Sequence, residues 1–168
     1  MNELVKSRES FMYVNVDNHL FKRVRNSEYV DKSELIALTN KVIDTEDQYI
    51  CVTRPRRFGK SVTVKMLNAY YSKGCDSKAL FSDLKIASSP DFESHLNQHD
   101  VIYLDMTEFA DNKDNGNKYL ENLNTDVVSE LKDTYRDFFD KDKSYSLPEA
   151  IRCLKKRFIF IIDEWDFV

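Results

Sequence analysis

The residues Thr53-Arg54-Pro55-Arg56-Arg57-Phe58-Gly59-Lys60-Ser61 join a strand-like run to a helix-like one, and that junction restricts the fold most. Before it, Tyr49-Ile50-Cys51-Val52-Thr53 is short, β-branched and aromatic, the pattern of a buried strand that Pro55 stops. After it, Val62, Met66, Leu67 and Tyr70 recur at helical spacing. A glycine here lets the backbone approach an anion, and the first N–H groups of the helix point at it. Lys60 would reach the outer phosphates as a point charge, and the Ser61 hydroxyl would ligate Mg²⁺. The expectation is a phosphate-binding loop and helix start formed by Arg54, Pro55, Arg56, Arg57, Phe58, Gly59, Lys60, Ser61 and Val62. The strict pattern G-x-x-x-x-G-K-[ST] asks for glycine where the chain has Arg54. Arg54, Arg56, Arg57 and Lys60 repel one another unless an anion neutralises them, which favours a polyphosphate ligand. The competing reading has Arg56 and Arg57 facing solvent or pairing with acidic side chains.

A second motif lies near the end of the sequence. Phe158-Ile159-Phe160-Ile161-Ile162 is apolar enough for a strand buried on both faces, and it runs directly into Asp163-Glu164. This is a Walker B arrangement: the aspartate supports the Mg²⁺ site, and the glutamate takes a proton from the attacking water. Lys60 and Glu164 are therefore the candidate catalytic residues, and Ser61 and Asp163 the candidate metal ligands. Ligands of open α/β sheets gather at the carboxyl ends of the strands, where Lys60 and Asp163 would converge. Asp166 is expected to face solvent.

Before and between the motifs, helix and strand patterns alternate. Asp17 is expected to cap a helix through Leu20, Phe21 and Val24, and Asp31 with Glu34 to form a capping box. A short helix follows Ser89-Pro90, and Val101–Leu104 forms a strand. A long amphipathic helix spans Asn117–Phe139, and Ser146, Pro148 and Glu149 open another. Such alternation indicates an α/β fold with a parallel sheet covered on both sides. The net charge of −4 argues against bulk adhesion to nucleic acid or membrane. The longest apolar run is too short to span a bilayer, and three scattered cysteines suit a reducing, cytoplasmic setting.

These pieces resemble the AAA-ATPase-like family, bacterial P-loop ATPases whose longer members often continue into a restriction-endonuclease-like domain. Tyr29–Ile36, Thr53–Ser61, Leu80-Phe81-x-x-Leu84-x-Ile86, Val101–Leu104 and Ile161–Asp166 carry the resemblance. Arg-Pro-Arg-Arg-Phe-Gly-Lys-Ser is that family's own loop variant, and Trp165 stands where tyrosine is usual. The resemblance implies a three-layer P-loop NTPase (AAA+-like) parallel sheet, with ATP and Mg²⁺ bound. It also implies a further strand between those of the phosphate loop and Walker B, coming later in sequence. The sheet is accordingly expected to be truncated after the Walker B strand. Residues 1–46 are expected as a helical segment packing on the core, and 47–168 as the P-loop core.

ATP is the expected partner, no membrane is expected, and a homo-oligomer is left open. Nucleic acid would be reached only through a nuclease domain absent from this sequence. Two other readings stand beside an Mg²⁺-dependent ATPase. One is a nucleotide-gated switch without turnover; the other is a nucleic-acid binder using Arg54, Arg56 and Arg57.

Overall fold

The computed structural model describes residues 12–53, 58–109 and 117–166. Its helices are α1 (His19–Arg25), α2 (Glu34–Asn40), α3 (Lys60–Tyr71), α4 (Lys78–Phe81), α5 (Phe92–His95), α6 (Asn117–Thr134) and α7 (Leu147–Leu154). Strands β1 (Asp100–Asp105) and β2 (Phe158–Asp163) pair in parallel, with Asp100 opposite Phe158 and Asp105 opposite Asp163. The chain between them holds α6 and α7, as a parallel connection requires a crossover. On its other edge β1 meets residues 13–15. The Tyr103 N–H donates to the Tyr13 carbonyl at 2.8 Å, and the Asn15 N–H to the Val101 carbonyl at 2.9 Å.

Alternate residues of β1 enter two separate cores. Val101 and Tyr103 join Phe21 of α1, Ile36 of α2, and Met66, Ala69 and Tyr70 of α3. Ile102 and Leu104 join Tyr13 and Val14, Val127 and Leu131 of α6, and Ala150 and Leu154 of α7. The period-two alternation of a strand sends neighbouring side chains to opposite faces, which is why one strand serves both cores.

Local signals survive best. Ser146 and Glu149 form the expected capping box, the Glu149 carboxylate accepting from the Ser146 N–H at 2.8 Å, with proline in the first turn. The expected box at Asp31 and Glu34 does not form. Ser33 precedes α2, and Asp31 instead accepts from the Ser33 N–H at 2.8 Å and from the distant Lys85 N–H at 2.9 Å. Asn18, not Asp17, occupies the cap position of α1, while Asp17 accepts from the His19 N–H. The long helix ends at Thr134, and Arg136–Phe138 turns as a 3₁₀ segment.

Two expectations about strands are corrected. Tyr49–Thr53 forms no strand and is exposed, with Tyr49 at 88%. One edge of β1 is taken by residues 13–15 and the other by β2, and no ladder along β2 reaches this run. A strand without a ladder has nothing to hold it extended. Nor is β2 buried on both faces. Ile161 is buried in the first core, but Phe160 and Ile162 are exposed. The second core covers β1 and Phe158 but stops short of these two side chains.

Candidate functional site

Gly59 adopts φ +78° and ψ 29° immediately before α3, a left-handed conformation that side chains rarely tolerate. Its carbonyl accepts from the Thr63 N–H at 3.0 Å and starts the helix ladder, leaving the first-turn N–H groups of Lys60 and Ser61 outside it. The twelve residues of α3 therefore begin with the feature that an anion site needs, a glycine turn feeding a helix N-terminus. Phe58, Gly59, Lys60, Ser61 and Val62 are all described. The site residues expected at Arg54, Pro55, Arg56 and Arg57 lie outside the described residues.

The direction of α3 follows from its other end. The His99 N–H donates to the Tyr71 carbonyl, and the Lys73 N–H to the His99 carbonyl, both at 3.0 Å. The carboxyl end of α3 is thus tied to the residue that precedes β1. The helix packs on both strands and is about 18 Å long at 1.5 Å per residue. A six-residue strand is about 20 Å long. Running back along the sheet, the helix brings Gly59-Lys60-Ser61 towards the carboxyl ends of β1 and β2.

Those ends carry acidic groups. Asp163 closes β2 at 4% exposure, and its Oδ1 accepts from the Glu164 N–H at 3.0 Å. Glu164 sits at φ +51°, a strained value for a residue with a side chain. Such strain is found where the surrounding structure fixes a side chain in one direction. Across the ladder Asp105 is in register with Asp163, and its carboxylate accepts from the N–H and hydroxyl of Thr107 at 3.0 and 2.6 Å. Burial, reinforced by the charges of Asp163, Asp105 and Glu108, pushes the Tyr103 hydroxyl above its usual range. Burial, then Asp105, likewise raises the Glu108 carboxyl. Asp105 was not singled out in the sequence, although an apolar strand running into an aspartate is the same signal that marked Asp163.

Lys32 was also missed. Its Nζ donates to the Phe58 carbonyl at 2.9 Å and lies 2.8 Å from where a Cβ on Gly59 would fall. The neighbours of Lys32 are pinned, Asp31 as described and Ser33 through an Oγ that accepts from the Ile86 N–H at 3.1 Å. Burial raises the Asp31 carboxyl, but bonds from the Lys85 and Ser33 N–H groups outweigh it and hold the group below its usual value.

Among the described residues no three or more His, Cys, Asp or Glu side chains gather as a metal site. Mg²⁺ asks for less. It commonly uses one or two protein oxygens beside phosphates and waters, and Ser61 and Asp163 are oxygen donors of that kind.

A family model described as predicted AAA-ATPase matches residues 15–168. The chain belongs to the AAA-ATPase-like family. No curated protein and no solved structure matches it. Two segments expected to characterise an AAA-ATPase-like chain, around Asp31 and around Leu84–Ile86, prove to be hydrogen-bonded to each other. Among the described residues no helix is long and apolar enough to cross a membrane.

Proposed function

We propose that this AAA-ATPase-like chain binds ATP with Mg²⁺ at the Gly59-Lys60-Ser61 turn and hydrolyses it to ADP and phosphate. The observation that carries the reading is the left-handed Gly59 opening α3 on the sheet whose other strand ends in Asp163-Glu164. In this reading the layers are those of a three-layer P-loop NTPase, with the nucleotide at the carboxyl edge of the strands.

Each residue then has a distinct task. The N–H groups of Lys60 and Ser61 bind phosphate oxygens with the helix dipole behind them. Lys60 Nζ neutralises charge on the outer phosphates, and the arginines at 54, 56 and 57 add to that field. Ser61 Oγ and Asp163 would hold the metal ion, which when bound supplies neutralisation of the charge that develops on the transferred phosphoryl group. Glu164 orients a water and takes its proton at the carboxylate. Three cysteines that form no disulfide suit a reducing compartment such as the cytoplasm.

Titrating a fluorescent ATP analogue with Mg²⁺ into the chain and into Lys60→Ala tests this. Removal of the ammonium is expected to weaken binding about ten- to a hundredfold while circular dichroism stays unchanged. Equal affinity in two folded proteins would remove Lys60 from the phosphate site.

A further inference from the structure

Three positive features meet at the start of α3: the helix N-terminus, Lys60, and the Lys32 ammonium bonded to the Phe58 carbonyl. A cation at a helix N-terminus is in the unfavourable orientation, and a second cation beside it adds repulsion. A surface lysine would normally swing away or pair with a carboxylate. Lys32 does neither: among the described residues no carboxylate pairs with it, and its ammonium stays against the loop. The backbone on each side of it is fixed, because Asp31 and Ser33 both hold the 3₁₀ turn at Lys85–Ser88. Gly59 also leaves room for it, since a Cβ there would collide with the ammonium at 2.8 Å. The fold thus holds two ammonium groups and a helix N-terminus together, an arrangement suited to an anion.

We propose that Lys32 is a second phosphate-binding cation of this site, seating the loop through the Phe58 carbonyl and offering its other N–H donors to the phosphates of the nucleotide. This rests on the nucleotide reading above and extends it to a residue that precedes the loop by a whole helix. One ammonium with three donors can do both tasks, as a carbonyl uses only one of them. The role assigned is charge and position, not proton transfer.

The test uses Lys32→Met, Lys32→Gln and Lys32→Arg beside Lys60→Ala, each checked for folding by thermal melting and titrated with Mg²⁺ and a fluorescent ATP analogue. Loss of the charge is expected to weaken binding about tenfold or more in Lys32→Met and Lys32→Gln, with Lys32→Arg restoring most of it. Lys32→Gln keeps a donor for the Phe58 carbonyl, so a purely structural role would leave its affinity at the wild-type level. Wild-type affinity in folded Lys32→Gln would overturn the proposal. If Lys60→Ala still loses binding in that case, the phosphate-loop reading stands without Lys32. If the wild-type chain binds no nucleotide, both fall together.

Discussion

Glu164→Gln is expected to lower phosphate release about a hundredfold or more while changing ATP affinity by no more than about twofold. The amide keeps the size and most of the hydrogen bonding of the carboxylate, so the strained backbone at φ +51° is not disturbed. What disappears is the group proposed to take the proton from water. Binding should survive because the proposed phosphate contacts belong to α3 and not to Glu164. Single-turnover phosphate release beside a binding titration separates the two quantities. Unchanged release in Glu164→Gln would mean another group activates the water, and Asp105, in register with Asp163, would be the next to substitute. Wild-type protein that binds tightly yet releases no phosphate would favour a nucleotide-gated switch over an enzyme.

The second large effect is on stability. Tyr70 is fully buried in the core beneath α3; its hydroxyl donates to the Phe92 carbonyl at 2.7 Å and accepts from Asn40 Nδ2 at 3.2 Å. Its ring also meets Phe81 edge-on at 5.5 Å. Tyr70→Ala removes this packing and is expected to cost about 3–5 kcal/mol. Tyr70→Phe keeps the ring but strands two polar partners, for about 1–3 kcal/mol. At about 2–4 °C per kcal/mol for a chain of this size, the alanine variant should melt about 6–20 °C below wild type. A shift of only a degree or two in Tyr70→Ala would contradict the placement of α3 on the sheet.

That placement matters because it points the proposed phosphate-binding turn at the acidic strand ends, and little of it could be read along the chain. The helix itself was legible, since Val62, Met66, Leu67 and Tyr70 repeat at helical spacing. The capping box at Ser146 and Glu149 was legible because both partners lie within one turn. Asp31 carried the same local pattern and went elsewhere, because one of its two partners, the Lys85 N–H, is 54 positions away. The run Tyr49–Thr53 has every side-chain property of a strand. Strand formation also needs a paired neighbour, and none of the described residues forms a ladder with this run. The outward face of β2 failed for a related reason, because an apolar sequence records what a residue prefers and not whether anything covers it. Lys32 shows the limit most clearly. It lies in the run Tyr29–Ile36 that carries the family resemblance, but only the fold lays its ammonium against Gly59.

The most direct test of the account is to follow backbone amide resonances of the isotopically labelled chain as Mg²⁺ and ATP are added. The account predicts that the amides of Gly59, Lys60 and Ser61 move most, with Glu164 responding more weakly from the strand end. Saturation of the chain with these three amides unmoved, or with the shifts concentrated elsewhere, would contradict it.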